Sequence, residues 1–90
     1  MPRIEKEIQV LNAQGLHARP AALFVQIASK YDASISVIKD DKVINGKSIM
    51  GILMLGAEQY STVKLVAEGD EAEPLMQELE KFLTHNGNEQ

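Results

Sequence analysis

The 90-residue chain has no cysteine and no tryptophan. Without thiols there is no disulfide to staple the fold and no thiolate zinc site. Stability must then come from one shared core, and a domain of this size buries only roughly 60–65% of its unfolded surface. Aromatic side chains are scarce, two Tyr and two Phe, and 9 basic residues face 13 acidic ones for a formal net charge of −4. A nucleic-acid partner is disfavoured, because phosphate binding needs a concentrated basic surface. Long apolar runs are missing too. The longest, Ile49 to Ala57, spans nine residues, whereas a membrane-crossing helix needs about 20. The N-terminus "MPRIEKEIQV" carries acids early and lacks an apolar stretch of leader-peptide length. One cytoplasmic domain over residues 1–90, without membrane insertion, is expected, with a polar tail at about 85–90. No internal repeat or linker interrupts it.

The apolar patterning supplies seven elements. Ile4, Lys6, Ile8 and Val10 alternate with Glu5, Glu7 and Gln9, which predicts a strand over Ile4 to Leu11 with one wet face. A turn at Asn12–Gly15 leads to a helix running to about Tyr31. "SISVIK", Ser34 to Lys39, reads as a second strand, with a tight turn at Asp40–Asp41 and a short third strand over Lys42 to Ile44. Ser48 is a good N-cap for a short helix, Ile49 to Leu55, closed by Gly56. "STVKLVAE", Ser61 to Glu68, is the fourth strand. A last helix starts near Asp70 or Glu71, with Pro74 in its first turn and Leu75, Met76, Leu79, Phe82 and Leu83 at helical spacing. The order βαββαβα, with half-apolar strands and singly striped helices, predicts an α+β fold: a four-stranded antiparallel sheet with three helices on one face.

The chemistry concentrates in "GLHARPAALF", Gly15 to Phe24. Proline is tolerated in a first helical turn, where its missing N–H would lack a partner anyway. The stretch therefore sets His17 and Arg19 at a helix N-terminus, with the backbone N–H groups of Ala18 and Arg19 pointing outward and none from Pro20. Such a terminus holds anions. Neutral imidazole is a nucleophile near neutral pH, and the guanidinium of Arg19 is a permanent fork-shaped cation for phosphate oxygens. On pattern alone a histidine before a helix is more often a cap or surface residue. The only other histidine, His85, falls in the polar tail and is expected to be solvated. No histidine or carboxylate cluster has metal-ligand spacing. There is no nucleophile-elbow serine and no glycine-rich phosphate loop; neither a metal nor a cofactor is expected.

"GLHARPAALFVQIASKY" followed by "NGKSIMGILMLGAEQYSTVKLVAEG" resembles the HPr family, the histidine-containing phosphocarriers of the bacterial phosphoenolpyruvate:sugar phosphotransferase system. The resemblance runs from about Ile4 to Leu83 and implies an open-faced β-sandwich. It matches His17 to the active histidine, phosphorylated on Nδ1 by phosphorylated enzyme I before the group passes to a sugar-permease domain, and Arg19 to the active-site arginine. That implies a relay protein rather than a turnover enzyme, expected to work as a monomer.

The same resemblance matches Ser48 to a serine that an ATP-dependent kinase phosphorylates in many bacteria, and a kinase/phosphorylase is a further implied partner. Capping and phosphorylation are compatible, since phosphate is electrostatically well placed at a helix N-terminus. Ile52 and Leu55 are expected in the core. For Ile49, Met50 and Leu53 the resemblance implies an exposed docking patch extended by Ala22, and methionine repacks readily against several partners. The alternative is a regulatory interaction module, either in a nitrogen-linked branch of the family or a co-regulator controlled through Ser48. His17 excludes the relatives that lack the histidine.

Overall fold

Seven elements follow one another in the computed structural model, which describes residues 1–85; the expected tail beyond His85 lies outside them. They are β1 (Arg3–Gln9), α1 (Ala18–Ser29), β2 (Ser34–Lys39), β3 (Lys42–Asn45), α2 (Ile49–Leu55), β4 (Thr62–Glu68) and α3 (Ala72–Thr84). The strands form one antiparallel sheet in the order β1-β4-β2-β3. The central strand β4 joins Ile4 to Ala67 and Ile8 to Val63 on one side, and Ile35 and Val37 to Ala67 and Leu65 on the other.

This register places Ile8, Ile35, Val37, Val63, Leu65 and Ala67 on one face, all buried, beneath the helices. Phe24 and Ala28 of α1, Ile52 and Leu55 of α2, and Leu75, Leu79 and Leu83 of α3 complete that core, which among the described residues contains no buried charged or polar residue. Phe24 meets the ring of Phe82 edge-on, with centroids 6.4 Å apart. The other face carries Glu5, Glu7 and Thr62, all exposed. The single-sided apolar pattern of each strand requires this arrangement, because a one-residue slip would turn every apolar side chain to water.

Lys6 breaks the apolar run of β1 on the helix side. At the sheet edge its ammonium reaches past the core to Glu80 of α3, 2.6 Å away, as a long basic stem does when its charge needs water. The Asp40–Asp41 turn is a two-residue hairpin joining the Lys39–Lys42 pair, with Asp40 left-handed at φ 57°. Several strand ends move by one residue from the sequence expectation, β1 opening at Arg3, β3 closing at Asn45 and β4 opening at Thr62, and two ends move further. β1 stops at Gln9, because the Leu11 and Asn12 amides turn away to the carbonyl of Leu83 at the end of α3 (2.7 and 3.2 Å). α1 stops at Ser29, and Lys30 and Tyr31 tighten into a last turn through bonds to Ile27 O and Ala28 O.

Candidate functional site

The segment between β1 and α1 is built to deliver one residue. Gly15 N–H donates to Asn12 O (3.1 Å) and the Asn12 side-chain amide donates to Gly15 O (2.8 Å), closing a tight turn. Gly15 sits at φ 62°, and a Cβ there would lie 2.7 Å from Ala57 O, so both its backbone angle and its packing demand glycine. Leu16 follows as an anchor, its side chain buried and its N–H bonded to Ala57 O at 2.8 Å.

His17 comes next, exposed, in extended backbone at φ −89°, ψ −160°. It is the N-cap of α1 through its carbonyl, which accepts from Ala21 N–H at 2.7 Å; its ring makes no cap hydrogen bond. Ala18 and Arg19 occupy the first two helical positions, whose N–H groups have no partner within the helix. Pro20 is third and buried against the core. No acidic side chain lies in this first turn, so nothing on the helix neutralises the positive end of its dipole. Arg19 is exposed and makes no ion pair among the described residues. The arrangement combines an accessible imidazole, two outward amides and an uncommitted guanidinium.

Ser48 caps α2. Its Oγ accepts from Gly51 N–H at 3.0 Å and its carbonyl accepts from Ile52 N–H at 3.0 Å. The approach is fixed by Asn45, whose Oδ1 accepts from Lys47 N–H (2.9 Å) and whose carbonyl accepts from Ser48 N–H (3.1 Å). Gly56, left-handed at φ 69°, ends the helix. Thus α1 and α2, packed against each other, present His17 and Ser48 at their respective N-termini.

The exposed side of α2 is apolar. Ile49, Met50 and Leu53 are exposed, Met50 by 65%, and Ala22 is half-buried, whereas Ile52 and Leu55 are in the core. Leu23 of α1 and Met54 of α2 are also exposed, by 42% and 69%, and were not singled out from the sequence. Helical spacing carried the signal for both: Leu23 is four residues from Arg19, and Met54 four from Met50. Sequence reasoning also missed Tyr60, 65% exposed and left-handed at φ 75°. His85, exposed, donates its backbone N–H to Lys81 O and so closes α3. Among the described residues no group of three or more His, Cys, Asp or Glu could hold a metal ion, and no helix is long and apolar enough to cross a membrane.

Comparison with known proteins bears on this geometry. Residues 4–85 match the family model described as the PTS HPr component phosphorylation site. The phosphocarrier protein HPr of Treponema pallidum is 38% identical over 87 residues, covering 97% of this chain and 99% of that protein. The HPr-like protein Crh of Halalkalibacterium halodurans is 42% identical over 80 residues, covering 89% and 95%. Among solved structures, HPr-C-His from Thermoanaerobacter tengcongensis superposes with a TM-score of 0.89 at 49% identity, over 97% of this chain and 98% of that one. The open-faced sheet and helices, and a match spanning nearly every described residue, lead to one assignment: the chain belongs to the HPr family, the phosphocarriers of the phosphotransferase system.

Proposed function

We propose that His17 is the phosphoryl acceptor and donor of this chain. Its Nδ1 attacks the phosphorus of phosphorylated enzyme I; the new P–N bond forms as the bond to the donor breaks, and the step reverses onto a phosphoacceptor domain of a sugar permease. The carrying observation is an exposed imidazole that caps α1 without a hydrogen bond from its own ring, beside two first-turn amides. The amides of Ala18 and Arg19 and the guanidinium of Arg19 stabilise the phosphoryl oxygens. That stabilisation is deliberately partial: a relay must release what it binds, so two amides and one mobile cation at an open surface serve better than a closed pocket. The motif holds no carboxylate that would position water against the phosphoryl group. The chain acts as a protein substrate in the cytoplasm, not as a turnover enzyme, and as a monomer, its core closed within one copy.

Ile49, Met50, Leu53 and Ala22, with Leu23 and Met54, form the surface on which donor and acceptor dock in turn. Phosphorylation of Ser48 by a serine kinase/phosphorylase regulates that docking, placing roughly −1.5 to −2 charge at the end of α2, where the dipole tolerates it, beside apolar side chains that partners must cover. A purely regulatory module acting through Ser48 is the second reading, favoured by that hydroxyl lying at the margin of the exposed patch.

The test is incubation with labelled phosphoenolpyruvate and enzyme I. Acid-labile label on wild type that disappears in His17→Ala supports the relay. Absence of label, or label that survives the substitution, overturns it and leaves the regulatory reading.

A further inference from the structure

We propose that the turn Ala57–Ser61 positions His17, with Gln59 as the side chain through which it acts. His17 lies outside this turn, but the segment that carries it, Val10 to Leu16, is held by the turn at both ends. At the leaving end of β1, Tyr60 N–H donates to Val10 O at 2.6 Å and Val10 N–H to Ser61 O at 2.8 Å. The Gln59 side-chain amide donates to Leu11 O at 3.2 Å. At the other end, Leu16 N–H donates to Ala57 O at 2.8 Å, one residue before His17. Between these clamps Gly15 lies so close that a Cβ would come within 2.9 Å of Glu58 Cα and 3.1 Å of Gln59 N.

The turn is itself braced. Ser61 N–H and Oγ–H both donate to Glu58 O (3.0 and 2.6 Å), and the Gln9 side chain donates to Tyr60 O at 3.1 Å. Within it Tyr60 takes a left-handed backbone, φ 75°, which a bulky residue keeps only where its surroundings over-determine the conformation. Those surroundings are the bonds that hold the His17 segment. A rigid seat matters for a group-transfer residue, since small misplacement of a reacting atom costs rate steeply. Gln59 is the separable part, because its bond comes from a side chain while the others are backbone.

The proposal rests on the phosphocarrier reading for its rate arm alone. Gln59→Met removes the donor while keeping an unbranched side chain; Gln59→Lys keeps an N–H donor on an unbranched stem. For Gln59→Met we expect unchanged cooperative unfolding, displaced or broadened ring signals of His17 in nitrogen-detected NMR, and a threefold or greater loss in the turnover of phosphoryl acceptance from enzyme I with KM for the chain unaltered. Gln59→Lys returns both readouts towards wild type. His17 ring signals in Gln59→Met that coincide with wild type overturn the proposal. A wild-type chain that takes up no phosphoryl group refutes the relay instead, and the NMR comparison still decides the positioning role.

Discussion

Tyr31, at the end of α1, donates its hydroxyl to the carboxylate of Glu78 on α3, and the Lys30 ammonium reaches the other oxygen of that carboxylate at 2.9 Å. One acidic side chain thus ties together the helix that His17 opens and the helix that closes the domain.

This tie predicts the pH limits of stability. The Tyr31 hydrogen bond, then that from Lys30, hold Glu78 below its ordinary value of 4.5. Its contribution is complete above that value and is lost as pH falls through the lowered native one. Glu5, held down by Lys64 and then Arg3, adds to the same acid limb. Tyr31 and Lys30 are both raised, chiefly by the Glu78 hydrogen bond, from 10.0 and 10.5. Their contribution is complete below those values and is lost as pH rises through the raised ones. Urea midpoints measured across pH should therefore fall below about pH 4.5 and above about pH 10. Glu78→Gln should flatten part of the acid limb, by a small amount because the pair is solvent-exposed.

Gly15→Ala should destabilise the domain by more than about 1–2 kcal/mol, the cost of a left-handed backbone in a residue with a Cβ. The 2.7 Å approach to Ala57 O adds to this, since the obstacle is backbone and cannot swing away. Thermal unfolding should show a loss of at least about 4–8 °C, the shift expected per kcal/mol for a domain this small.

Ser48→Ala removes the bond to Gly51 N–H and should cost about 1 kcal/mol. Ser48→Asp keeps a capping oxygen and adds negative charge at the helix N-terminus, so its midpoint in urea should stay near wild type while phosphoryl transfer from enzyme I slows. Equal transfer rates for Ser48→Asp and wild type would remove the regulatory role.

Tyr60→Gly should stabilise the domain by up to about 1.5 kcal/mol. Relief of the left-handed strain, about 1–2 kcal/mol, outweighs the extra unfolded-state freedom of glycine, about 0.5–1 kcal/mol, and the exposed side chain gives up little burial. A lower urea midpoint for Tyr60→Gly than for wild type would show that its phenol packs for stability instead.

Local signals made much of this protein legible. Pro20 and the run after it mark the mouth of α1; Ser48 and Gly56 bracket α2; alternation marks the strands. Each reports on a few neighbouring residues, where proline geometry, capping and the two periodicities act. The end of β1 shifted because a distant partner decided it: the Leu83 carbonyl drew Leu11 and Asn12 off the ladder. The partner of Lys6 on the apolar side of β1, Glu80, lies on α3, 74 residues away.

By itself, then, the amino-acid order settled which residues coil, which extend, and that an imidazole stands at the start of a helix. Only the tertiary structure decided that the last strand inserts between the first and second, that the Ala57–Ser61 turn grips the His17 segment, and that Leu23 and Met54 are left exposed. The reason is physical. Capping and periodicity act within about one turn of chain, whereas strand order and the buttressing of a loop depend on burial and hydrogen bonds between segments far apart in the chain, from Ile38 and Lys64 of the β2–β4 pair to Leu11 and Gln59 at a separation of 48, which no local pattern encodes.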